Sequence, residues 1–130
     1  MKLVFDPSSI FEAIVEGKIA VLAGNYTLNL ARYELGNLLW KRRVLIEDLK
    51  ESDYRRLMNL VKRTLNLMEL INIECNEIEI FKLASKFNLT FYDASYVFLA
   101  KNRGVPLVTE DKTIRNKVRD YIKVFTIRDL

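Results

Sequence analysis

The chain has 130 residues, half of them apolar, a net charge of +4, a single cysteine and no histidine. One domain with a sizeable core fits that length, and lone Cys75 excludes a disulfide framework or a thiolate zinc cluster within one chain. The missing histidine removes Ser-His-Asp, Cys-His and histidine-ligated zinc chemistry, so any catalysis rests on carboxylates, Lys, Tyr, Ser or Thr. Carboxylates select hard cations such as magnesium or manganese.

Lys2 to Phe5 reads as a short apolar strand, after which Ile10, Phe11, Ile14 and Val15 recur at helical spacing up to Gly17. Asp6 sits at that junction, where it also has a plain reading as a helix cap beside Pro7, with Ser8 and Ser9 as rival caps. It arrives too early for a signal-peptide apolar core, and no stretch reaches membrane-spanning length, so a cytoplasmic protein without a membrane partner is expected. Ile19 to Ala23 reads as a second strand, which Gly24-Asn25 turns into a helix over Thr27 to Arg43. In that helix Glu34, with Leu30 and Leu38 one turn to either side, lies on or beside the apolar face, and Asn37 shares that face. A charge there is costly unless it has a partner; a boundary glutamate that reaches solvent or a lysine is the alternative. Lys41-Arg42-Arg43 closes the helix, favourably placed against its dipole.

Ser52 reads as the cap of a helix with Leu57, Leu60, Val61 and Leu65 on its apolar face. Met68 to Ile73 reads as a third strand, although Leu67 to Leu70 can equally extend that helix. Asn76 caps the next helix, whose inward residues are Ile80, Leu83, Ala84 and Phe87, and Asn88 ends it. Asp93 follows Phe91-Tyr92 and opens a helix apolar over most of its surface, which Gly104 stops. Pro106 to Thr109 reads as a buried strand delivering Glu110 and Asp111 to a helix over Lys112 to Asp120, and Tyr121 to Ile127 supplies the last strand. Strands alternating with helices, with no repeat or linker, predict a single α/β domain with a mostly parallel central sheet of four to five strands and helices on both faces.

Asp6, Asp93 and Asp111 each occupy a strand end or a helix start, positions that a parallel α/β sheet can gather at one edge. Glu34 is the fourth acid. Each aspartate alone is explained as a cap, but clustered carboxylates repel one another unless some are protonated or a divalent cation holds them. The chemistry suited to such a site is magnesium- or manganese-assisted phosphodiester hydrolysis.

The order of an initial strand ending in Asp6 with Ser8 two later, YELGNLLW with Glu34 and Asn37, LTFYDASYVFLA with Asp93, and GVPLVTED with Asp111 resembles PIN-domain ribonucleases. It is most similar to the compact VapC-type toxins of toxin–antitoxin pairs, over nearly the whole chain; Val44 to Cys75 matches only in length and helical character. The resemblance implies a metal-dependent RNA endonuclease, a homodimer, and a cognate antitoxin whose tail fills the active-site groove. It assigns Asp6 and Asp93 as principal ligands of Mg2+ or Mn2+, and Glu34 and Asp111 to a second ion or to the attacking water. Ser8, Asn37 and Thr109 would support them, while Glu110 beside Asp111 is an extra carboxylate able to alter metal number. Pro7 departs from the Thr common in such toxins. For RNA phosphates, Lys41, Arg42 and Arg43 and then Lys112, Arg115 and Arg119 are the candidates, on helices that carry or follow a site acid; Tyr26, Tyr33, Tyr92 and Trp40 are candidates for stacking on bases, or else for core or dimer interface. A non-catalytic PIN-like module binding RNA or protein, and a PIN nuclease of RNA maturation, are the competing expectations.

Overall fold

The computed structural model describes residues 1–130, which form five strands and six helices. The strands are β1 (Val4–Phe5), β2 (Tyr26–Leu28), β3 (Glu69–Ile71), β4 (Leu107–Val108) and β5 (Val124–Phe125). They pair in the order β3-β2-β1-β4-β5, and every pairing is parallel. The helices are α1 (Pro7–Val15), α2 (Leu30–Trp40), α3 (Glu51–Leu67), α4 (Glu77–Phe87), α5 (Phe91–Arg103) and α6 (Lys112–Val118).

The sheet separates two cores because successive strand residues face opposite ways. Phe5 and Val108 join Ile10, Ala13, Leu35, Val61 and Leu65 on the face covered by α1, α2 and α3. Val4 and Leu107 join Val97, Leu99, Ala100, Ile114 and Val118 on the face covered by α5 and α6. Such two-sided burial explains why these strands read as unbroken apolar runs. From β1 the chain moves outward to β2 and β3 on one side, then returns to place β4 and β5 on the other. The order therefore reverses between β1 and β4, and a crevice at the carboxyl ends of these strands is where open α/β sheets bind ligands.

Three local expectations change. Ile19–Leu22 is a short 3-10 turn and not a strand; only Leu22 is fully buried there, so there is no two-sided strand to insert. Thr27 and Leu28 belong to β2, its Thr27 hydroxyl donating to the Phe5 carbonyl at 2.7 Å, so α2 starts only at Leu30. Past Trp40 the chain does not stay α-helical: Lys41–Leu45 forms a π-type turn, with the Ile46 amide bonded to the Lys41 carbonyl at 2.9 Å. Gly104 ends α5 as expected, at φ +66 in the left-handed region that a Cβ disfavours.

Candidate active site

Asp6 leaves β1 and caps α1, with Pro7 in the first turn. Its carboxylate is 5% exposed and held from three sides. Oδ1 accepts from the Ser8 hydroxyl at 2.7 Å and the Ser9 amide at 3.0 Å, and Oδ2 accepts from the Thr109 hydroxyl. A carboxylate has about four lone-pair sites, so Asp6 keeps one on Oδ2 for another partner. The same hydroxyls grip the loop after β4: the Glu110 amide donates to Ser8 Oγ at 3.0 Å and the Asp111 amide to Thr109 Oγ1 at 3.1 Å. Ser9 Oγ, bonded to the carbonyls of Asp6 and Val108 at 2.9 and 2.8 Å, completes the weld between β1 and β4. Burial raises the Asp6 pKa above its ordinary value, against the pull of its Ser8, Thr109 and Ser9 hydrogen bonds.

Opposite Asp6, Glu34 projects from α2 and Asp93 from the first turn of α5, where Thr90 and not Asp93 is the cap. Asp93 and Tyr96 are three apart and share a face of α5. The Tyr96 ring is 1% exposed, and its hydroxyl donates to Glu34 Oε1 at 3.0 Å. Burial is the largest cause raising the Glu34 pKa; Tyr96 lowers it, and Asp93 and Asp6 raise it further. Asp93 is also raised, first by burial and then by Asp111, with the Thr90 hydrogen bond opposing. The Tyr96 phenol is pushed far up by its own burial and by Glu34, Asp6 and Asp93, so it stays a donor at every ordinary pH.

The structure thus brings Glu34 within electrostatic reach of Asp6 and Asp93, and Asp93 within reach of Asp111, around the β1–β4 crevice. Asp111 caps α6 through Oδ1, which accepts from the Ile114 amide at 3.1 Å. No three of these carboxylates close on one point as a ready-made cage. A magnesium ion does not need one: it takes one or two carboxylates and completes its octahedron with water or phosphate oxygens. The all-oxygen donor set, with an uncommitted lone pair on a buried Asp6, fits such a hard cation.

The supporting residues divide. Ser8 and Thr109 orient Asp6, and Asn37 lines the groove beside Glu34, with Lys41 at its rim. Glu110 departs from expectation: its side chain turns away from the acids and accepts from the Ile127 amide at 2.7 Å, because neighbouring residues at a strand end point to opposite sides. Arg42 is clamped on Asp48 at 2.7 Å, and Arg43 donates to the Leu49 carbonyl at 2.8 Å, so both are engaged in holding the turn after α2. Arg115 reaches the Thr109 carbonyl at 3.4 Å and lines the Glu110 side, while Lys112 on α6 and Arg119 just after it are exposed. Ser9 reads from the sequence only as a rival cap, and Tyr96 only as part of an apolar run. A tyrosine three residues after an acid in an apolar helix is the signal by which Tyr96 is recognisable.

No helix is long and apolar enough to cross a membrane. No protein-family model matches the chain. It is 33% identical over 100 residues to a protein named Exonuclease VapC9 of Pyrobaculum aerophilum, covering 77% of this chain and 71% of that one. It is likewise 33% identical over 130 residues to Ribonuclease VapC3 of the same organism, covering 90% of this chain and 95% of the relative. The crystal structure of PAE2754, also from Pyrobaculum aerophilum, superposes with a TM-score of 0.82 at 26% identity, covering 99% of this chain and 92% of that chain.

Proposed function

This chain belongs to the VapC family, and from that membership we propose that it is a Mg2+- or Mn2+-dependent endoribonuclease, the toxin of a toxin–antitoxin pair. One observation carries the reading: the β1–β4 crevice holds three carboxylates of raised pKa with no protein cation paired to any of them. Desolvated negative charge of this kind is stabilised by a hard dication.

Asp6 and Asp93 would hold the ion, the Asp6 carboxylate having acceptor capacity beyond its hydroxyl and amide donors. A cation bound there would supply Lewis acidity toward the phosphate and lower the pKa of bound water. Glu34 has one oxygen fixed by Tyr96, which leaves Oε2 to accept a proton from the attacking water or to bind a second ion. Asp111 faces the same crevice at the start of α6. Ser8 and Thr109 keep Asp6 in one rotamer, so the charge that receives the ion is already oriented. Lys41 is the phosphate contact that the structure supports best, since Arg42 and Arg43 are committed elsewhere.

An antitoxin and a second copy of the chain are the protein partners. Exposed Ile78 and Phe81 on α4, and Trp40 at the end of α2 with Leu45 and Ile46 after it, provide apolar surface for them to cover. Light scattering tests the dimer, and a mass near that of one chain refutes it. The activity test uses a circular and a linear RNA, with Mg2+ or Mn2+ and then with chelator, beside Asp93→Asn. Cutting of the circle that both chelator and substitution abolish is expected. Degradation of the linear RNA alone makes the enzyme an exonuclease, as VapC9 is named, and equal cutting by Asp93→Asn refutes the site.

A further inference from the structure

We propose that the groove beside Glu34 is a nucleobase-stacking subsite, in which Tyr33 and Tyr92 hold an unpaired base of the RNA next to the carboxylates; this rests on the ribonuclease reading. Tyr33 immediately precedes Glu34 on α2, and Tyr92 immediately precedes Asp93 on α5, so each ring is carried by the turn that carries a site acid. Both line one groove of about 500 Å³ together with Ser8, Asn37 and Lys41. That volume lies within the roughly 300–1,000 Å³ of small-ligand sites.

The chain has six tyrosines, and four are spoken for. Tyr96 is buried against Glu34, while Tyr26, Tyr54 and Tyr121 each have cationic side chains over the ring. Tyr33 and Tyr92 remain, 69% and 58% exposed, with neither ring stacked on another nor covered by a cation. Folding gains little from two rings left this far in water. A base has a π face whatever its identity, so stacking on an aromatic side chain tolerates any sequence. Only an unpaired base exposes that face. Lys41, which has no carboxylate partner, stands at the same groove for the adjoining phosphate. Asn37 offers a donor and an acceptor to a base edge.

The test uses the full chain carrying Asp93→Asn, so that RNA persists, with Mg2+ and a mixed-sequence single-stranded decamer containing 2-aminopurine. Expected are binding by anisotropy and quenching of 2-aminopurine fluorescence. Tyr33→Leu and Tyr92→Leu should each weaken binding about tenfold and relieve the quench. Tyr33→Phe and Tyr92→Phe should keep both, and binding of the matching duplex should not respond to either Leu change. Leu variants that bind and quench like their parent overturn the subsite, as do Leu variants that change only the mass seen by light scattering, because the rings then join two copies. Cleavage by the unsubstituted chain, measured separately, keeps the two readings apart. Cleavage without tyrosine dependence leaves the nuclease and removes the subsite; tyrosine-dependent quenching without cleavage does the reverse.

Discussion

Two groups of acids flank the segment Thr109–Asp111, and they differ in what surrounds them. On one side Asp6, Glu34 and Asp93, with Asp111 coupled to Asp93, surround a crevice whose side-chain partners are hydroxyls: Ser8, Thr109 and Tyr96. On the other, Glu12, Glu16 and Glu110 line a groove of about 360 Å³ that they share with Lys18, Arg115 and Arg128. Like charge is felt there too, since the Glu12 pKa is raised first by its hydrogen bond with Glu16. There the largest cause is the contact between like acids in a groove that three cations also line, whereas in the crevice burial heads the causes for Asp6, Glu34 and Asp93 alike. Proximity of carboxylates is therefore a poor guide to a metal site. Desolvation without a neutralising side chain is the better one.

The sharpest way to break that contrast is substitution on both sides. Asp93→Asn should lower cleavage of labelled RNA by about a hundred- to a thousandfold, since an electrostatic group acting at the reacting centre is worth ~3–4 kcal/mol. Glu110→Gln should leave the rate within about twofold, and a large loss from it would place Glu110 in the site after all. Next in size is metal binding itself. Mn2+ at a hundred times its Kd stabilises a folded chain by ~2.7 kcal/mol, or roughly 10 °C at this length. A melting series should show that rise in the unsubstituted chain and in Glu12→Gln, and lose most of it in Asp6→Asn. A smaller effect is expected from Thr109→Val. It leaves a buried carboxylate oxygen short of a donor and should cost ~1–3 kcal/mol of stability, read as a lower urea midpoint at unchanged slope.

Much of this contrast is legible in the residues. Asp6 stands out because a strand runs into Pro7, and the absence of histidine and of paired cysteine directs attention to oxygen ligands. The parallel sheet follows from alternating apolar strands and helices. What is not legible depends on distant partners. Tyr96 reads as core because its burial hides its hydroxyl, and Glu34 is 62 positions away. Glu110 and Asp111 are told apart in the sequence only by the resemblance; the strand end sends Glu110 to the Ile127 amide, while Asp111 caps α6 within electrostatic reach of Asp93. Ile19–Leu22 is too short a run for periodicity to separate a strand from a single 3-10 turn. Arg42 looks free until the chain bends back to bring Asp48 against it.

The smallest effect isolates the strain in the metal-free crevice. Glu34 and Asp93 have folded-state pKa values raised above their ordinary 4.5 and 3.8. Below those ordinary values both groups are protonated in folded and unfolded chains, and no penalty exists. As pH rises through the raised folded values, the folded chain must ionise them against burial and mutual repulsion, so stability falls and stays reduced at neutrality. Asp48 and Asp129 act oppositely, their lowered values adding stability that is lost as pH falls, so a single profile mixes the two trends. The difference between the unsubstituted chain and Glu34→Gln separates them. In chelator at pH 7.5 Glu34→Gln should melt higher by a few degrees, about 1 kcal/mol after allowing for solvent screening of a half-exposed group, and the gap should close as the buffer approaches pH 4.5. A gap that stays constant with pH would mean that Glu34 carries no such strain, and that the crevice is no more in need of a cation than the groove behind it.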